Sequence, residues 1–167
     1  MRAADVDETP LPGEPPEDTV LRLAIAKAAA QAHTGELVLA ADTVVVIDGE
    51  LLGKPRDPAE ARWMLGRIAG REHTVLTAVA LAEPDRRRRA SAVASSRVRM
   101  AALSPEEVAW YVDTGEPLDK AGSYAVQGIG ALFVEEVFGN YTNVVGLPLP
   151  LTYRLFRELG YELLAFR

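Results

Sequence analysis

The sequence predicts an α/β fold in which helices flank a mixed β-sheet. Apolar, β-branched runs suited to buried strands alternate along the chain with segments of helical period that carry capping signals. Several of the strand runs are separated by turn signals typical of hairpins. The 167 residues show no repeat and no break in composition, so we expect one domain over residues 1–167.

The first part of the chain predicts a helix followed by a hairpin. Asp18 or Thr19 can cap a helix over residues 18–33. The next run, ELVLAADTVVVID, is too apolar and β-branched for a surface helix and predicts a buried strand. Asp48 and Gly49 then form the two-residue turn that leads into a second, shorter strand.

The remaining elements are predicted from similar local signals. An Asp-Pro pair begins a helix over residues 57–70. The runs HTVLTAVALAE and ASAVASSRVRMAAL predict two strands, with four arginines at residues 86–89 in a solvated loop between them. Ser104 and Glu107 have the spacing of a capping box and begin another helix. LPLPLTYRLFRELG predicts a last helix and YELLAF a last strand.

Composition restricts the metals and partners that the chain can use. It has no cysteine and only two histidines, which leaves carboxylate oxygens as metal ligands and favours Mg²⁺ or Mn²⁺. A net charge of −6 argues against broad nucleic-acid binding. The acidic, proline-rich start does not resemble a signal peptide, and no apolar run approaches the roughly 20 residues of a membrane span. We therefore expect a cytoplasmic protein.

Two glycine-containing segments fail the patterns of common nucleotide-binding motifs. Residues 49–55, GELLGKP, place the first glycine one position too close and have proline where a P-loop needs Ser or Thr. Residues 128–130, GIG, lack the third glycine of the dinucleotide fingerprint and precede a strand pattern. The sequence thus argues against a Walker-type NTPase and a Rossmann dinucleotide site.

Asp42 is an acidic residue within the apolar run of residues 37–47. A carboxylate in a buried strand is costly unless it is paired, hydrogen-bonded or bound to a metal. Asp42 is therefore either a structural hydrogen-bond acceptor or a catalytic acid, and its strand context leaves both readings open.

Two lysines are candidates for contact with an anionic substrate. Lys27 falls within the apolar arc of the first helix, so it either extends to solvent from the edge of that arc or points at the sheet that carries Asp42. Lys54 is held between Gly53 and Pro55, where it is either solvated or placed to meet a phosphate.

Other polar residues have weaker signals. Asp5, Asp7 and Glu8 form either a solvated acidic terminus or a source of metal oxygens. Gln127 precedes a glycine at the end of a short strand pattern, where its amide could read the edge of a base.

The motifs gain meaning when they are taken together and in order. VDE, RLAIAKA, AADTVV, GKP, HTVLTAVAL, GEPLDKAGSYAVQG and NVVGLPL resemble the Maf family of nucleotide pyrophosphatases over residues 5–149. The resemblance implies an α/β fold similar to that of the inosine triphosphate pyrophosphatases, with the site in the cleft of an elongated sheet. It also implies cleavage of nucleoside triphosphates between the α and β phosphates, a divalent metal and a homodimer.

Site residues follow from the same resemblance, position by position. Asp42 matches the family's proposed proton acceptor, which activates water to attack the α-phosphorus. Glu8 matches a glutamate of the family's catalytic acidic set. Our hypothesis is that Asp42 and Glu8 also supply the oxygen ligands of the metal. Lys27 and Lys54 match the lysines that bind the phosphates.

Base preference is implied by two further positions. Thr43, after the catalytic aspartate, and Gln127, before the glycine, are similar to the branch that prefers dTTP and UTP. The branch that acts on 7-methyl-GTP resembles S-D-Q and S-E-G at these places, which this sequence lacks.

One part of the family pattern is missing. Family members begin with a strand, a turn reading approximately S-x-S-P-R-R and a helix, whereas this sequence begins almost at VDE. The expected domain is therefore N-terminally truncated relative to the family. A non-catalytic nucleotide-binding or cell-division regulatory protein is the alternative reading, and the missing unit gives it weight.

Overall fold

The computed structural model describes residues 5–33 and 35–165, and within them five strands and five α-helices. The strands are β1 (Val38–Ile47), β2 (Glu50–Leu52), β3 (Glu72–Glu83), β4 (Arg88–Met100) and β5 (Val134–Phe138). The helices are α1 (Pro16–Ala30), α2 (Pro58–Ile68), α3 (Pro105–Asp113), α4 (Tyr141–Val145) and α5 (Leu149–Glu158). No helix in these described residues is long and apolar enough to cross a membrane.

The strands form a sheet in the order β2-β1-β3-β4-β5, which confirms the α/β class. Every pairing among the described strands is antiparallel, so the parallel component of the predicted mixed sheet is not seen there. Tight turns account for two of the four pairings: Asp48 (φ 53°) and Gly49 (φ 79°) close the hairpin of β1 and β2 as predicted, and a short turn joins β3 to β4.

Helices cover both faces of the sheet. Even-numbered residues of β1 and β3, such as Val44 and Ala78, pack against α1. Odd-numbered residues, such as Val45 and Val75, pack against α2 and α3, and Val79 lies in a cluster with α5. Side chains that are neighbours along β1 therefore lie on opposite sides of the sheet.

Helix starts follow the local capping signals in two of three cases. The Asp57 side chain accepts from Glu60 N at 2.8 Å at the start of α2. Ser104 and Glu107 form the predicted capping box of α3. The predicted cap at Asp18 or Thr19 is wrong, because α1 begins two residues earlier at Pro16, whose fixed φ suits the first helical position.

The segment YELLAF is not a strand, contrary to the prediction. Gly160 (φ 76°) ends the turn after α5, and Tyr161 N then donates to Phe156 O at 2.9 Å. The two rings also pack edge to face, so the chain folds back on α5 and continues as a 3₁₀ turn at Leu163–Ala165. Phe166, the last residue of that segment, lies outside the described residues.

The arginine-rich loop joins β3 to β4 as predicted, but Arg88 is not simply solvated. Its guanidinium lies 2.6 Å from Glu83 Oε2 and donates to Leu159 O, also at 2.6 Å. Arg88 therefore ties the β-hairpin to the end of α5.

Candidate active site

A cavity of about 580 Å³ lies along the middle of β1, where residues 41–45 line it. All six candidate site residues line it, although they come from distant parts of the sequence. The polar and charged lining, together with one glycine, includes Glu8, Lys27, Asp42, Thr43, Lys54, Asp119, Lys120, Tyr124, Gln127 and Gly146.

The cavity touches both faces of the sheet because it wraps around an edge of β1. β2 pairs only with residues 45–47 of β1, so within the described chain the outer edge of residues 38–44 carries no strand. Asp42 pairs with Ala78 and faces α1, whereas Thr43 pairs with Thr77 and faces the opposite side. Two adjacent residues thus contribute to two different walls of one cavity.

On the α1 side, one lysine joins two carboxylates. Lys27 Nζ lies 2.5 Å from Asp42 Oδ1 and 2.6 Å from Glu8 Oε1. Lys27 points from α1 towards the sheet, which was one of the two alternatives predicted from the sequence. Its side chain is only 19% exposed. The lysine carries one positive charge against two negative ones.

Burial sets the acid–base properties of this group. Asp42 is 9% exposed, and burial raises its pKa above the ordinary value even though Lys27 opposes that change. Burial acts to lower the pKa of Lys27, but its hydrogen bonds to Asp42 and Glu8 outweigh this effect and the net pKa is raised. Lys27 is therefore charged near neutral pH, and Asp42 is a stronger base than an exposed aspartate.

The two carboxylates fit part of a site for a hard divalent cation. Asp42 and Glu8 converge on one nitrogen, and Mg²⁺ is commonly held by one or two carboxylates together with substrate phosphates and water. Within residues 5–33 and 35–165, no group of three or more His, Asp or Glu side chains could hold a metal. Asp7 instead accepts from Thr9 N at 2.9 Å, so only Glu8 of the acidic cluster lines the cavity.

Two further lysines, Lys54 and Lys120, also line the cavity. Lys54 is exposed on the loop after β2, and that loop is fixed because Gly122 N donates to Gly53 O at 3.0 Å. Lys120 pairs with Asp119, and Lys120 together with the more distant Lys54 holds the pKa of Asp119 below its ordinary value. Lys54 therefore adds positive charge to the cavity, whereas Asp119 offsets the charge of Lys120.

On the opposite face, Thr43 is the first member of a buried polar network. Its Oγ1 lies 3.0 Å from Thr77 Oγ1, and Thr77 donates to the carbonyl oxygen of Asn143 at 2.9 Å. The Asn143 side chain is fully buried and donates to Val75 O and to Ser96 Oγ, each at 3.0 Å. This network fixes α4 against the sheet next to Thr43.

Gln127 is exposed at the rim of the cavity on a loop held by Glu116. The Glu116 carboxylate accepts from Ile129 N and Gly130 N, each at 2.8 Å. Tyr111 donates to Glu116 at 2.6 Å and accepts from the backbone N–H of residue 125 at 3.0 Å. A side chain at residue 128 would overlap Glu116, which explains the glycine there.

His73 is buried behind Tyr124, one of the residues that line the cavity. It is 3% exposed, and its Nε2 is 2.8 Å from the hydroxyl of Tyr124. Burial lowers the pKa of His73 to about 4, so the ring is neutral at physiological pH.

Several lining residues have no counterpart among the predicted ones. Asp119 and Lys120 belong to the motif GEPLDKAGSYAVQG, but no local pattern in the sequence distinguished either residue from an ordinary exposed charge. An acid and a lysine side by side in a loop between Pro117 and Gly122 was the available signal. Thr77 lies within an apolar strand, as Asp42 does, and the same argument about buried polar groups applies to it.

Comparisons with known proteins agree on one family. Residues 1–159 match the family model described as Maf-like protein. A dTTP/UTP pyrophosphatase of Anaeromyxobacter dehalogenans is 55% identical over 170 residues, which covers 98% of this chain and 84% of that protein. Proteins of the same name from Myxococcus xanthus (52%; 98% of this chain, 83% of that protein) and Symbiobacterium thermophilum (49%; 95% and 82%) are also similar.

Proposed function

The chain belongs to the Maf family, and from this membership and the charged groups of the cavity we propose that it hydrolyses nucleoside triphosphates to monophosphate and pyrophosphate. Its relatives named dTTP/UTP pyrophosphatase make dTTP and UTP the proposed substrates. The observation that carries the proposal is the convergence of Asp42 and Glu8 on Lys27, inside a cavity that further lysines also line.

Asp42 is the proposed general base. It takes a proton from water as the water oxygen bonds to the α-phosphorus, and the bond from that phosphorus to the bridging oxygen breaks to release pyrophosphate. Burial raises the pKa of Asp42, which makes it a better proton acceptor than an exposed aspartate. General-base assistance is worth roughly 10²–10⁴-fold in rate, so charge stabilisation must supply the remainder.

Lys27 and Lys54 are the proposed source of part of that stabilisation. Lys54 is exposed at the cavity, where its ammonium can meet the phosphates. Lys27 offsets one of the two negative charges of Asp42 and Glu8, which reduces their repulsion of a polyanionic substrate. Both lysines act as fixed positive charges near the phosphorus that reacts.

Asp42 and Glu8 would also hold the proposed Mg²⁺ or Mn²⁺. When bound, such an ion would offset negative charge on the phosphate oxygens. The donor set supports this role because both ligands are hard oxygens that already converge on one cation.

Thr43 and Gln127 are the proposed base-reading residues. Both line the cavity, and both carry polar groups suited to hydrogen bonds with a pyrimidine. The cytoplasmic location, the homodimer and the absence of nucleic-acid binding remain predictions. They are supported by the net charge of −6 and by the family resemblance.

The substitution Asp42→Asn tests the proposed function. Pyrophosphate released from dTTP or UTP is converted to phosphate by added inorganic pyrophosphatase and detected by colour. We expect the wild type to release pyrophosphate and D42N to lose at least about a hundredfold in rate. D113N, at an exposed aspartate on α3, is the matched control and should keep the wild-type rate. A wild type that binds dTTP without releasing pyrophosphate would favour the non-catalytic reading.

A further inference from the structure

The hydroxyl groups of Thr43 and Thr77 have a defined direction of hydrogen bonding. A threonine hydroxyl has one proton to donate and can accept through its lone pairs. A backbone carbonyl oxygen only accepts, so the Thr77 hydroxyl must donate its hydrogen bond to Asn143 O, 2.9 Å away. In the 3.0 Å contact between the two hydroxyls, Thr43 is therefore the donor and Thr77 the acceptor.

This direction leaves Thr43 with only lone pairs for the cavity. Its proton points inward to Thr77, while the residue lines the cavity together with Gln127. Gly146 leaves room beside Thr43, since a Cβ at that position would come within 3.4 Å of Thr43 Oγ1. A ligand group that forms a hydrogen bond with Thr43 Oγ1 therefore has to be the donor.

Thr77 can maintain this direction because its surroundings are rigid. Its side chain is fully buried in the central strand β3, which has a neighbour on each side. Asn143, whose backbone carbonyl accepts this hydrogen bond, is itself fixed because its side-chain amide donates to Val75 O and Ser96 Oγ. Reversing the chain of bonds would turn the Thr77 proton towards Thr43, and the lone pairs of Thr77 Oγ1 and Asn143 O would then face each other at 2.9 Å with the loss of one buried hydrogen bond.

We propose that Thr77 is a positioning residue that holds Thr43 as a hydrogen-bond acceptor and so makes the site select pyrimidines with a protonated ring nitrogen. The proposal rests on the proposed function and adds the buried residue that sets the preference for uracil and thymine. Uracil and thymine carry an N–H at ring position 3, whereas the same nitrogen of cytosine is an acceptor and would face the lone pairs of Thr43. The site should therefore favour UTP over CTP.

Gln127 does not provide this selection by itself. The end of a glutamine side chain offers both a carbonyl and an amino group and can turn to present either one. The exposed Gln127 can thus serve a carbonyl of uracil or the amino group of cytosine. A fixed hydroxyl has no such freedom, so discrimination between the two bases falls to Thr43 and, through it, to Thr77.

The proposal is tested with the substitutions Thr77→Val and Thr77→Ser. The quantity measured is the ratio of kcat/KM for UTP to kcat/KM for CTP. Valine keeps the shape of the side chain but cannot accept a hydrogen bond, so the Thr43 hydroxyl becomes able to donate to N3 of CTP. We expect T77V to lower the ratio about tenfold, the effect of roughly one hydrogen bond, and T77S to keep the wild-type ratio. Asn143 O retains the bond from Gly146 N at 3.0 Å, so T77V removes only part of its pairing.

Two outcomes would overturn the proposal. One is a folded T77V with the wild-type ratio, including the case in which both nucleotides lose rate equally. The other is a Thr43→Val variant in which the ratio of kcat/KM for UTP to that for CTP is unchanged. This variant removes the acceptor itself, so it tests the proposal even if T77V does not fold. A wild type that hydrolyses neither nucleotide would contradict the proposed function instead, so the two failures are distinct.

Discussion

Lys27 Nζ lies 2.5 Å from Asp42 Oδ1, and this contact links the base on the sheet to helix α1. Lys27 is the main group that opposes the effect of burial on Asp42. The protonation of the proposed base is therefore controlled by a residue that lies fifteen positions earlier in the sequence.

The first prediction concerns the pH dependence of Lys27→Met. A general base acts only when deprotonated, so wild-type kcat/KM should fall as pH drops through the pKa of Asp42, above the usual range for aspartate because of burial. Lys27 lowers that pKa through its hydrogen bond and charge, so its removal should move the acid limb to higher pH. The measurement is kcat/KM for UTP across pH in both proteins. An acid limb at the same pH in K27M would show that Asp42 is not the titrating base.

The second prediction concerns stability and His73. The native pKa of His73 is about 4, below the 6.5 of an unfolded histidine, so the unfolded chain binds the proton more readily. The stability from this residue is fully present above pH 6.5 and is lost as pH falls towards 4. His73→Gln removes the titration and keeps a group that can bond Tyr124.

Urea unfolding at pH 7 and pH 4.5 measures the effect. Between these values the wild type should lose about 2 to 3 kcal/mol more than H73Q. H33Q, at an exposed histidine, should behave as the wild type does. Equal losses in wild type and H73Q would mean that His73 is protonated in the native state as easily as in the unfolded one.

Local signals predicted much of the fold because they need no distant partner. The hairpin at Asp48 and Gly49 and the caps at Asp57 and Ser104 depend on residues within a few positions of each other. The predicted strand at YELLAF is wrong because a strand also needs a sheet edge within reach, and contact with α5 turns this segment away from the sheet.

The candidate site also contains residues that local sequence signals predict and residues whose role depends on distant contacts. Asp42 could be singled out because a carboxylate in an apolar strand is unusual wherever its partners lie. Its pairing with Lys27 could not be derived, since helical spacing gives the direction of a side chain but not the strand that it meets. Glu116 was missed because its partners are backbone N–H groups thirteen and fourteen residues away.

The last prediction concerns Glu116, whose carboxylate holds the loop of Gln127. Glu116→Gln keeps the shape of the side chain, but its amide nitrogen cannot accept from Ile129 N or Gly130 N, and one of these donors loses its bond. A hydrogen bond to a charged group is worth about 1.5–3 kcal/mol, so the free energy of unfolding should fall by roughly that amount.

The same change should also weaken substrate binding more than turnover. Gln127 lies on the opposite side of β1 from Asp42 and Lys27, so a looser loop should raise KM for UTP several-fold while kcat changes little. E106Q, at an exposed glutamate on α3, is the control and should alter neither quantity. If E116Q is less stable but keeps the wild-type KM, Glu116 supports the fold alone and the position of Gln127 does not depend on it. A fall in kcat at constant KM would instead place this loop beside the reacting phosphate, because only contacts made in the transition state affect turnover without affecting binding.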